Sequence, residues 1–83
     1  MDIDLSICKH IVMNEKERLL KIGNNIRAER NRARLTQENL AEKISMNEKN
    51  LGKIERGQVN PKITTIIAIM EALDIPFEAI YKK

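Results

Sequence analysis

The chain has 83 residues, of which 42% are hydrophobic and 33% are charged. This length allows one domain with a small core, and the composition excludes an intrinsically disordered chain. The single cysteine excludes an internal disulfide framework, and no apolar run approaches the roughly 20 residues of a membrane span. We therefore expect a cytoplasmic protein that does not associate with membranes.

Residues 1–13 differ from the rest of the chain. Their apolar residues alternate with polar ones, a weak strand pattern that fits either an arm pairing with a partner chain or a loosely ordered leader. Cys8 and His10 lie two residues apart, but a zinc site needs three or four ligands, so we predict no metal site. We expect this leader or arm to precede a domain formed by residues 14–83.

The first helix is predicted to begin with a capping box. Asn14 and Glu17 have the spacing of that motif, and apolar residues follow at helical intervals. The helix is expected to run to about residue 33. It forms either one piece or two pieces hinged at residues 23–25, which are poor helix formers.

Two short helices are predicted next. Thr36 is a suitable N-cap for a helix over residues 37–44, although Asn39 stands where the capping box usually has an acid. Asn47 is expected to cap a third helix over residues 48–56. Gly57 ends this helix.

Two further helices complete the prediction. Pro61 introduces a helix over residues 63–73, and Pro76 opens a short last one. The buried stripe of the fourth helix is predicted to consist of Ile66, Ile69, Met70 and Leu73. Five helices without a convincing core strand make the expected fold class all-α.

The second and third helices have the pattern of a helix-turn-helix. Helices joined by a three-residue turn cross steeply, and Ala41 supplies the small residue that the crossing requires. A helix with a polar outer face fits the major groove of B-DNA. The predicted outer face of the third helix consists of Glu48, Lys49, Asn50, Gly52, Lys53 and Arg56.

The charge distribution agrees with a polyanionic partner. Residues 21–62 carry ten lysines and arginines against five acidic residues, whereas the remainder carries five against seven. A basic surface attracts nucleic acid. On charge alone, a mixed solvated surface remains the alternative.

The stretches "TQENLAEKI…NEKNLGKIERGQVNP" and "ALDIPFEAIY" resemble the Cro/repressor-type (XRE) helix-turn-helix domain, over about residues 22–81. The resemblance implies a lambda-repressor-like five-helix domain, here with a short N-terminal extension. It also implies binding to double-stranded operator DNA, usually as a homodimer. The helix-turn-helix motif itself spans about residues 37–56.

The resemblance also assigns roles to individual residues. The positions that would face DNA bases are Glu48, Lys49, Asn50 and Lys53. Those that would contact phosphates are Gln37, Arg56 and Lys62. Arg30 and Glu55 occupy the positions of a buried structural salt bridge. From the residues alone, either lysine could instead contact phosphate, Asn50 could reinforce the helix start, and Glu48 could complement the helix dipole.

The chain departs from the family pattern at two positions. Ser45 stands where the turn commonly has glycine, and an L-residue in a left-handed conformation costs on the order of 1 kcal/mol. Gly52 replaces a residue that usually has a side chain on the DNA-reading helix. The missing side chain either lets the backbone approach the groove or has no function.

The sequence therefore predicts a DNA-binding transcriptional regulator, a small repressor or autoregulatory controller. The chain offers no catalytic constellation, cofactor motif or sensor domain for a small ligand. The alternative is a protein-interaction module of the same fold, such as an antitoxin or regulator partner. Dimerisation is expected through exposed Ile80 and Tyr81, joined by Ile11 and Val12. The operator, the target genes, the direction of regulation and the type of source operon stay open.

Overall fold

Five α-helices joined by short loops form residues 14–81, the part of the chain that the computed structural model describes. The helices are α1 (Glu15–Arg32), α2 (Gln37–Lys43), α3 (Glu48–Glu55), α4 (Ile63–Leu73) and α5 (Phe77–Tyr81). No strand occurs among these residues, so the predicted all-α class is confirmed. The expectations for the leader, for Cys8 and His10, and for Ile11 and Val12 fall outside the described residues.

The helix α1 is continuous, so the hinged alternative is wrong. The capping box forms as predicted, because the Glu17 N–H donates to Asn14 Oδ1 at 2.8 Å and the Asn14 N–H donates to Glu17 Oε1 at 3.0 Å. Gly23 is needed for packing: a Cβ at this position would lie 2.4 Å from the carbonyl oxygen of Ile54. The glycine therefore lets α1 and the end of α3 approach closely.

The first four helices end in the same way. Each is followed within two residues by a residue with a left-handed backbone conformation, and the next N–H donates to a carbonyl five residues back. These residues are Arg34, Ser45, Gly57 and Asp74. Three of the four carry side chains, so their left-handed backbone is strained, but each turn provides a hydrogen bond to a carbonyl group at the helix end.

The core receives one completely enclosed aliphatic side chain from every helix. These five residues are Ile26, Leu40, Leu51, Ile69 and Ile80. Full burial of each side chain contributes about 1.5–3 kcal/mol. In the predicted stripe of α4, Ile66, Ile69 and Leu73 are buried and Met70 is half-buried. The core therefore depends on all five helices together.

The expectation that Ile80 is exposed is wrong. Its side chain is 1% exposed, because α5 packs against α1. The Asn25 amide nitrogen donates to the Ile80 carbonyl oxygen at 2.6 Å and ties the two helices together. The exposed aromatic residue of α5 is Phe77, whose side chain stacks on the half-buried Tyr81.

Candidate nucleic-acid interface

The turn between α2 and α3 is built from local hydrogen bonds. Ser45 has a φ of 56°, and the following Met46 N–H donates to the Ala41 carbonyl at 2.8 Å. Ala41 is 2% exposed at the crossing of the two helices. Asn47 then starts α3, because its side chain accepts from the Lys49 N–H at 2.7 Å. The turn thus fixes the orientation of α3 relative to α2.

The start of α2 is capped despite the missing acid. The Asn39 N–H donates to Thr36 Oγ1 at 3.0 Å, and the Thr36 N–H donates to Asn39 Oδ1 at 3.4 Å. An amide oxygen therefore takes the place of the usual carboxylate. This cap places Gln37 at the first position of α2, beside α3.

The helix α3 has a buried side and an exposed side. Leu51, Ile54 and Glu55 are buried. The exposed residues are Glu48, Lys49, Asn50 and Lys53, followed by Arg56 directly after the helix. Gly52 was expected on the outer face, but it is buried, because the side chains of Gln37 and Arg56 lie over it.

Most of the predicted DNA-contacting residues meet around one shallow depression of about 380 Å³. It is lined by Gln37, Glu48, Lys49, Gly52, Lys53 and Arg56. Asn50 lines a neighbouring depression between the turn and the start of α4. Lys62 is exposed at the N-cap of α4 and lines neither. Within residues 14–81, no acidic side chain forms an ion pair with Lys49 or Lys53.

A buried ion pair lies on the opposite side of α3 from this exposed surface. Arg30 Nε donates to Glu55 Oε2 at 2.7 Å, and Arg30 Nη2 donates to Glu55 Oε1 at 3.0 Å. Arg30 Nη1 also donates to the Leu35 carbonyl at 2.8 Å. The Arg30 side chain is 11% exposed and that of Glu55 is 1% exposed. This geometry ties the end of α3 to α1.

Two contacts of the site were not predicted from the sequence. Gln37 Nε2 donates to Glu55 Oε1 at 3.0 Å, so α2 is hydrogen-bonded to the carboxylate of the ion pair. Arg56 Nε donates to Gln58 Oε1 at 3.3 Å in the loop after α3. No local pattern marks Gln37 and Glu55, because their contact requires α2 to pack beside α3. The bond between Arg56 and Gln58 depends on how the two side chains lie in the loop after α3.

The described residues also bear on metal binding and membrane insertion. Within residues 14–81, no three His, Cys, Asp or Glu side chains lie close enough to hold a metal ion. None of the described helices combines the length and the apolar character required to cross a membrane.

Comparison with protein families identifies a match over most of the domain. The model of the helix-turn-helix family HTH_3 matches residues 26–80. The immunity repressor protein of Bacillus phage phi105 is 39% identical over 61 residues, which are 74% of this chain and 42% of that protein. The chain thus spans less than half the length of this relative.

Solved structures with the same fold include two regulators. The restriction-modification controller protein C.AhdI from Aeromonas hydrophila superposes with a TM-score of 0.73 at 33% identity, over 76% of this chain and 96% of that one. An HTH_3 family transcriptional regulator from Vibrio cholerae gives a TM-score of 0.75 at 27% identity, over 81% of this chain and 38% of that one.

Proposed function

The chain belongs to the HTH_3 helix-turn-helix family of DNA-binding transcriptional regulators, and we propose that it is a small repressor or autoregulatory controller that occupies an operator. The observation that carries this proposal is the exposed outer face of α3, where Lys49, Lys53 and Arg56 surround one depression. Such a helix fits the major groove. We place this activity in the cytoplasm and assign it no catalytic step.

The proposed contacts fall into two groups. Base edges are met by Glu48, Lys49, Asn50 and Lys53, and phosphates by Gln37, Arg56 and Lys62. The residues proposed for base contacts lie on α3 itself. Those proposed for phosphate contacts flank it at the start of α2, the end of α3 and the start of α4. Contacts of the first kind specify a sequence, and contacts of the second kind fix the position of the protein on the duplex.

The length of α3 supports a homodimer. Its eight residues span about 12 Å, which corresponds to only about four base pairs. A two-fold dimer would double the number of base pairs contacted, because it would place two α3 helices in half-sites about one turn of DNA apart. We propose the exposed apolar side chains on α4 and α5 for this contact: Ile63 is 64% exposed, Phe77 50% and Ile67 44%.

The experiment that tests DNA reading is a selection of bound fragments from a random duplex library at about 150 mM salt, since affinity depends on salt. We expect the wild type to enrich a palindromic motif and the Lys49→Ala/Lys53→Ala variant to lose it. Lys16→Ala/Lys43→Ala, which removes the same charge outside α3, is expected to keep the motif. A wild type that enriches nothing would contradict the proposal and favour a protein-interaction role.

The dimer is tested separately by sedimentation over a concentration series. Phe77→Glu is expected to shift the protein toward monomer, because a charge buried at a symmetric apolar contact is repeated on both partners. Asn31→Glu introduces the same charge at an exposed position of α1 and is expected to leave the association unchanged. A wild type that stays monomeric at tens of micromolar would contradict the dimer.

A further inference from the structure

Gly52 lies in the middle of the candidate interface and is buried. It stands four residues after Glu48 and four before Arg56, and this spacing puts the three residues on one stripe of α3 and its C-cap. The stripe faces the first residue of α2, Gln37. The missing side chain therefore leaves a space between α2 and the end of α3.

Two long side chains converge on this space. A Cβ at residue 52 would lie 3.1 Å from Arg56 Nη1 and 3.7 Å from Arg56 Cζ. The same point lies 3.4 Å from Gln37 Oε1. The guanidinium group of Arg56 thus lies back over α3, in the volume that a side chain at residue 52 would occupy, with its Nε bonded to Gln58.

The orientation of the Gln37 amide follows from its partner. A carboxylate can only accept hydrogen bonds, so the nitrogen of the amide must point toward Glu55. The Gln37 oxygen then points away from Glu55, toward Gly52 and Arg56. The hydrogen bond to Glu55 therefore orients Gln37 Oε1 toward the side on which the guanidinium group of Arg56 lies.

We propose that Gly52 is a positioning residue for DNA binding, because its lack of a side chain lets the guanidinium group of Arg56 lie back over α3 beside Gln37, where it is held in place to bind a phosphate group. This inference rests on the proposed DNA-binding function. Arg56 supplies the guanidinium N–H groups that donate to the phosphate, whereas Gln37 presents an acceptor oxygen on this side. A side chain held in place before binding loses less conformational freedom on binding.

Gly52→Ala separates this role from a structural one, because stability and affinity should change in opposite directions. Alanine favours the helix, and the nearest atoms are the ends of flexible side chains, so we expect Tm to rise by about 4–8 °C. Displacement of Arg56 should weaken binding to the duplex enriched in the selection by about three- to tenfold. The slope of log K against log salt should become shallower by about 0.9 for each phosphate group that the variant no longer neutralises.

The Arg56→Ala background provides the matched control. If Gly52 acts through Arg56, adding Gly52→Ala to this background should leave the affinity unchanged while the rise in Tm persists. Sequence preference should stay the same in all variants, because a phosphate contact carries no base information. Arg56→Lys retains the charge without the planar guanidinium group and is expected to weaken binding as well.

Several outcomes would overturn the inference while leaving the proposed function intact. They are a Gly52→Ala variant with wild-type affinity and salt slope, an equal loss of affinity in the Arg56→Ala background, or a changed sequence preference. If Gly52→Ala lowers Tm, the comparison in the Arg56→Ala background still decides, because a general structural loss would weaken binding equally there and would overturn the inference. A wild type that binds no duplex would overturn the proposed function and this inference together.

Discussion

The buried ion pair gives the strongest prediction for stability. Arg30→Met removes a bidentate contact to Glu55 and a hydrogen bond to the Leu35 carbonyl. Among residues 14–81, the Gln37 amide is then the one hydrogen-bond partner left to the carboxylate of Glu55, whose side chain is 1% exposed. We expect this change to destabilise the fold through the charge that it leaves behind, more than through the hydrogen bonds that it removes.

The magnitude follows from burial. Breaking a buried pair by removing one partner costs about 3–5 kcal/mol. A domain of this size has a free energy of unfolding of about 4–12 kcal/mol, so the loss is a large fraction of the total. Glu55→Leu should cost less, because Arg30 is 11% exposed and keeps its bond to the Leu35 carbonyl. The double variant Arg30→Met/Glu55→Leu should recover about 2 kcal/mol or more relative to Arg30→Met.

Urea unfolding followed by circular dichroism measures these differences. All variants must be compared at the same protomer concentration, because association with a second copy would add to the apparent stability. A loss below about 1 kcal/mol for Arg30→Met would refute the reasoning, since it would fall in the range of an exposed pair. A double variant as unstable as Arg30→Met would show that the uncompensated charge is not the cause.

Further predictions concern the backbone. Gly23→Ala should destabilise the fold by about 2 kcal/mol, because the Cβ would collide with the carbonyl oxygens of Ile54 and Glu55; equal or higher stability in urea would contradict the close packing of α1 on α3. Ser45→Gly should stabilise by about 0.5–1 kcal/mol by relieving the left-handed conformation, whereas Ser45→Ala should not; calorimetry distinguishes the two. Thr36→Ala should cost about 1 kcal/mol in the same assay through loss of the α2 cap, and an unchanged Tm would show that the cap contributes nothing.

Much of the helical framework was predictable because its signals are local. The caps at Asn14, Thr36 and Asn47 and the stop at Gly57 act on backbone groups within a few residues. The periodic stripe of α4 likewise follows from the geometry of one helix. These signals are carried by a few neighbouring residues, so a single sequence is enough to recognise them, although the short helices become stable only when they pack together.

The sequence by itself therefore determined the helices, their order, the helix-turn-helix and most of the exposed polar face of α3. Only the tertiary structure decided that Ile80 is buried, that Gly52 is covered, and that the Gln37 amide points its nitrogen at Glu55. The physical reason is distance along the chain. Asn25 and Ile80 are 55 residues apart and Gln37 and Glu55 are 18 apart, so these contacts form only when separate helices pack together.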